Sequence, residues 1–123
     1  MTDNGKPTFT LHTNSSDYQH SDLSVAGFAD YLNNFTADYW DFMTLEPSEP
    51  IKGSTFIQVG SPDARTNYMM TVEIGFLNAT RIEMYRYYTD DKTEVLHILA
   101  EYFENQEIPD ISNWEDVSNE MNQ

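Results

Sequence analysis

At 123 residues, 39% of them hydrophobic, the chain has the size of one domain that can bury a core without covalent staples. An aromatic content of 14% argues against a disordered acidic polymer, and the absence of cysteine excludes disulfides and thiolate metal sites. Six basic residues against 21 acidic ones leave a formal charge of −15, a field that repels nucleic acid and anionic membranes and attracts basic surfaces.

The charge is unevenly spread. Residues 1–50 hold eight acids and one base, residues 51–92 hold five of each, and residues 93–123 hold eight acids with no Lys or Arg. The first residues lack a basic stretch followed by an apolar run, and no segment has the roughly 18–20 apolar residues of a spanning helix, so a cytoplasmic protein without membrane contact is expected.

Residues 1–20 are polar, and only Thr8–His12 alternates, weakly; they read as a flexible or edge-strand N-terminal segment ahead of a single α+β domain over 21–123. From Ser21 the period changes. Val25, Phe28, Ala29, Leu32 and Phe35 recur at spacings of three and four, which predicts a helix near 22–35 capped by Ser21 or Ser24. Asp41–Glu46 reads as a short strand halted by Pro47, and Thr55–Val59 as the next, closed by Gly60-Ser61-Pro62-Asp63. Tyr68, Met70, Val72, Ile74 and Phe76 then alternate with more polar neighbours, which places all five on one face of a strand. Asn78-Ala79-Thr80 suits a hairpin connection, with Arg81–Tyr88 as the partner strand.

Val95, Ile98, Leu99, Tyr102 and Phe103 mark a second helix, capped by Asp90 or Asp91 and ending before Pro109. Ser112 and Glu115 repeat the capping spacing, so Trp114, Val117 and Met121 are expected to line a short terminal helix. The expected fold is therefore α+β: a two-layer sandwich of an antiparallel sheet of three to five strands, two main helices and a short C-terminal helix. The outer helix faces hold Asp30, Asp38, Glu94, Glu101 and Glu104.

Catalytic patterns are scarce. No Gly-x-Ser-x-Gly elbow or glycine cluster occurs, and His12, His20 and His97 lack metal-ligand spacing, so no catalytic residue, cofactor or metal is expected. Glu73 and Glu83 lie on neighbouring strands and form either a carboxylate pair or separate ion pairs with Arg81 or Arg86.

If the Tyr68–Phe76 face meets the helices, the opposite face carries Met69, Thr71, Glu73, Tyr85 and Tyr87, flanked by Phe56 and Gln58. Tyr, Phe and Met are enriched at protein interfaces, so this face is either a binding patch or the floor under a folded-back terminal segment. Phe56, Met69, Glu73, Tyr85 and Tyr87, with Glu94, Glu101 and Glu104 of the second helix, are the candidate partner-binding residues.

The segment from Leu45 to Val117 resembles small acidic bacterial proteins that serve as immunity partners of secreted toxins. The similarity lies in Leu45-Glu46-Pro47, Phe56-Ile57-Gln58, Val72–Phe76, Glu94-Val95-Leu96 and Ile108–Trp114. The resemblance implies an inhibitor that docks on a basic toxin domain and blocks its active site, with no catalytic residue carried over. A nucleic-acid mimic that blocks a DNA-binding or restriction-type protein, and a non-inhibitory interaction module, stay open beside it.

Overall fold

The computed structural model describes residues 2, 3, 6–37, 40–78 and 80–121. Asp38 and Ala79, assigned above to a helix face and to the hairpin connection, and the side chain of Met121, lie outside the described residues.

Two short strands, β1 (Thr2–Asp3) and β2 (Lys6–Pro7), pair with each other. The main sheet begins with β3 (Phe9–Thr13) and β4 (Asp17–Gln19), followed by α1 (Val25–Asn33). Next come β5 (Phe42–Pro47), β6 (Ser54–Gly60), β7 (Met70–Asn78) and β8 (Arg81–Thr89). The chain closes with α2 (Lys92–Asn105), β9 (Glu115–Asp116) and α3 (Ser118–Met121). The sheet is open, antiparallel and seven-stranded, in the order β4-β3-β5-β6-β7-β8-β9.

Seven strands correct the expected three to five. The two extra strands at one side come from residues 9–19, where β3 is an interior strand and not an edge, pairing Leu11 with both Tyr18 and Leu45. The extra strand at the other side is β9, whose Asp116 and Glu115 pair with Tyr85 and Arg86. Weak alternation allowed β3 at most the place of an edge strand, and the two residues of β9 are too few to show a period. The terminal helix is corrected too: it begins at Ser118, whose N–H donates to Asp116 Oδ1 at 2.9 Å, while Ser112 is held by Asp110 in a turn.

Both main helices lie on one face of the sheet. Ser24 caps α1 by accepting the Gly27 N–H, and Asp91 caps α2 by accepting from Thr93 and Glu94. Their apolar stripes bring Phe28, Leu32, Val95, Leu99 and Tyr102 onto Phe9, Leu11, Met43, Leu45, Ile57, Val59, Met70, Val72 and Ile74. Burying this many large apolar side chains, at about 1.5–3 kcal/mol each, is the dominant force holding the layers together. A polar contact deep in this layer, between the Ser54 and Tyr102 hydroxyls at 2.9 Å, satisfies both groups, and burial pushes the Tyr102 phenol up to about 12.

Candidate functional site

The register of β7 and β8 decides which residues share a face. A connection over residues 78–80 pairs Leu77 with Arg81 and sets Tyr85 beside Glu73. The observed ladder pairs Asn78 with Arg81, Ile74 with Tyr85, Val72 with Tyr87 and Glu73 with Arg86. That one-residue difference moves every β8 side chain to the other side. Tyr85 and Tyr87 therefore belong to the helix-covered face, and the tyrosine patch expected on the open face is corrected.

Tyr87 anchors the helix-side fringe. Its ring stacks on Trp114 with centroids 5.3 Å apart and planes 14° from parallel, so the Trp114 segment does fold back over it. Its hydroxyl donates to Glu94 Oε2 at 2.8 Å, and Thr89 Oγ1 donates to Glu94 Oε1 at 2.7 Å. The hydrogen bond to Glu94, burial and the nearby negative charge together hold the Tyr87 phenol above its ordinary pKa. Tyr85 is raised as well, by burial first and then by Glu83 and Asp116.

Between α2 and residues 107–114 runs a groove of about 570 Å³. Its apolar floor is Ile98, Ile108, Pro109 and Trp114, and its rims carry Glu94, Glu101, Glu107 and Asp110, with no Lys or Arg in the lining among the described residues. These carboxylates are held in place. Glu94 is gripped by Tyr87 and Thr89, Glu101 accepts from Asn105, and Glu107 pairs with Lys52. Asp110 accepts the Ser112 N–H, and hydrogen bonds from Ser112 hold its carboxyl below the ordinary range, so it is charged at neutral pH. An apolar trough with fixed anions on both rims suits a basic side chain whose aliphatic stem lies on isoleucine and tryptophan.

The remaining candidates lie elsewhere. Glu73 is buried on the open face, where Arg86 Nε donates to it at 2.7 Å and Gln58 Nε2 at 3.4 Å. Arg86 also forks onto Glu120 at 2.9 and 3.2 Å. Burial opposes the charged guanidinium, but the hydrogen bonds it donates to Glu120, Tyr88 and Glu73 outweigh it and leave its pKa raised. Glu83 pairs with Phe76 on the other face, so Glu73 and Glu83 do not form a carboxylate dyad and the Arg86 ion pair is the arrangement found.

Phe56 lays its ring over Gly75, where an added Cβ meets Phe56 Cε1 at 2.2 Å. Met69 is half-buried just ahead of β7, its carbonyl accepting from Thr66 Oγ1 at 2.6 Å. Glu104 is exposed and lines neither the groove nor the open-face cluster. The eight expected residues thus divide. Tyr87, Glu94 and Glu101 meet in the groove, Tyr85 packs against the core nearby, Glu104 stands apart, Met69 lies ahead of β7, and Phe56 and Glu73 are on the other side of the sheet.

Sequence reasoning missed Trp114, Ile108 and Asp110 as groove residues and Glu120 as the second partner of Arg86, while an ion pair of Glu73 with Arg86 was one of the alternatives it held open. The Arg86 pairing was recoverable by counting back from a two-residue hairpin turn; the groove was not, because it joins two segments whose approach no local pattern encodes. Among the described residues, no three His, Asp or Glu side chains converge as metal ligands, and no helix is long and apolar enough to cross a membrane. Compared with known proteins, the chain matches no family model, no curated protein and no solved structure.

Proposed function

We propose that this chain is an acidic protein-binding module of the cytoplasm that docks a basic partner in the α2 groove, and that it acts as an immunity-type inhibitor of a toxin domain. The groove carries this reading: its rims hold four carboxylates, each with a hydrogen-bond or ion-pair partner of its own, above an apolar floor. Prearranged anions lose little side-chain entropy on binding, and the charge of −15 speeds encounter with a basic surface.

The test is capture of a basic protein from extracts of the source organism at low salt, followed by Glu101→Arg with Asp110→Arg on the groove rim. Affinity is expected to fall at least tenfold in the double variant, and to fall for the wild type between ~50 and ~500 mM salt. Inhibition of the captured protein's activity supports the inhibitory role. Capture that survives both rim substitutions and high salt removes the groove from the account. Capture without inhibition reduces the role to that of an interaction module.

A further inference from the structure

On the open face, at the end of the sheet where β6 runs into the 61–69 loop, lies a depression of about 550 Å³ unrelated to the α2 groove. Its floor is Gly60, Gln58, Thr71 and Glu73; one wall is Trp40 with Arg65, and the other is Arg86 with Glu120 of α3. We infer that this depression is a second binding site, for a neutral polyhydroxylated ring of the saccharide class.

Charge excludes the ionic alternatives. Each cation in the lining already has an anionic partner: Arg65 donates to Asp63 at 2.8 Å, and Arg86 is shared by Glu73 and Glu120. A phosphate or carboxylate ligand finds no unneutralised cation and faces a strongly acidic protein. A cationic ligand has to compete with the guanidinium groups for carboxylates they already hold. Asp41 is committed too, accepting from the Thr36 N–H at 2.7 Å and from Asn14 at 3.2 Å. Such carboxylates retain further lone pairs and can still accept from ligand hydroxyls.

Three observations point to a hydroxyl-bearing ring. Trp40 is 64% exposed, and the Arg65 guanidinium lies 3.7 Å from its ring centroid, an arrangement that fixes the indole as a platform. The C–H face of a sugar ring stacks on such a platform. Trp40 also has φ 59°, a left-handed conformation costly for a bulky residue and of the kind that collects at ligand sites. Ser61 lines the depression at 7% exposure, and its Oγ has no hydrogen-bond partner among the described residues. A buried hydroxyl left unsatisfied is costly, and a single χ1 turn brings it to a ligand hydroxyl. Gly60 keeps the floor low, because a Cβ there meets Thr71 Oγ1 at 2.7 Å. The volume holds roughly one or two sugar rings.

The experiment is an amide and indole NMR titration of the full chain with glucose, galactose, N-acetylglucosamine, maltose and cellobiose. Glycerol is the hydroxyl control, and inorganic phosphate and lysine are the charged controls. At least one saccharide is expected to saturate shifts at Gly60, Ser61, Thr71 and the Trp40 indole. Trp40→Ala is expected to abolish those shifts, and Ser61→Ala to weaken binding about fivefold. Absence of saccharide shifts at these positions overturns the inference, as does an equal response to glycerol or a stronger one to phosphate or lysine. None of these outcomes bears on basic-partner capture by the α2 groove, so the two readings fail independently.

Discussion

Two adjacent rows of side chains cross the whole sheet, and their contrast explains most of the molecule. One row, on the helix face, runs Tyr18, Leu11, Leu45, Ile57, Ile74, Tyr85 and Asp116, each the register partner of the next. The other, one residue along each strand and therefore on the open face, runs Asp17, His12, Thr44, Gln58, Glu73, Arg86 and Glu115. The first is apolar through its middle and gives the helices a surface to bury. The second is polar from end to end, and side-chain hydrogen bonds link several of its neighbours. His12 bonds Asp17 at 2.9 Å, Thr44 donates to Gln58 at 2.7 Å, and Glu73 receives Gln58 and Arg86. On the face away from the two main helices the strands are thus joined by cross-strand polar pairs, each modest.

The contrast predicts that damage to the apolar row costs more than damage to the polar one. Leu99→Ala, which empties a fully buried position of α2 above the sheet, is expected to destabilise by about 3–5 kcal/mol in urea unfolding. The polar row is most vulnerable where burial is deepest. Arg86→Ala leaves Glu73, only 8% exposed, without its counter-ion, and is expected to cost about 3 kcal/mol. Glu73→Gln with Arg86→Met is expected to recover much of that loss, and a double-mutant cycle checks the coupling. An Arg86→Ala loss below ~1 kcal/mol would show that the row is merely a solvated surface.

The pH dependence sharpens the helix-face side. The Tyr102 phenol is raised by burial from an ordinary 10.0 to about 12, so its ionisation favours the unfolded chain. Its contribution to stability is complete below ~pH 10 and is lost as pH rises through about 12. Alkaline unfolding of the wild type should therefore lose about 2 kcal/mol more over that window than Tyr102→Phe does. Gly75→Ala tests the open face sterically: the new methyl displaces the Phe56 ring, at an expected cost of about 2 kcal/mol that Phe56→Leu partly relieves. The smallest effect belongs to the fringe. Tyr87→Phe removes one hydrogen bond to Glu94 and is expected to cost about 1 kcal/mol, with the Trp114 stack intact by fluorescence.

Legibility tracked the range of the interaction that carried the information. The second-helix stripe was readable because Val95, Leu99 and Tyr102 repeat within one segment, and they are fully buried. The β7 alternation was readable for the same reason, although Tyr68, assigned to the buried face, is exposed ahead of the strand with φ 60°. The α2 acids were legible as residues, yet the groove that gathers Glu94, Glu101 and Asp110 depends on a turn that brings residues 107–114 back along the helix.

By itself the chain of residues determined its two main helices with their caps, the strands β5 to β8 and the acid excess of its two ends, because periodicity, capping and charge are properties of short stretches. The tertiary structure alone decided that β3 is an interior strand, that Tyr85 and Tyr87 face the helices, and which of the pairings open to Glu73 is made, the one with Arg86. Register is a relation between two strands, and a slip of one residue inverts a face while leaving each strand's own pattern unchanged.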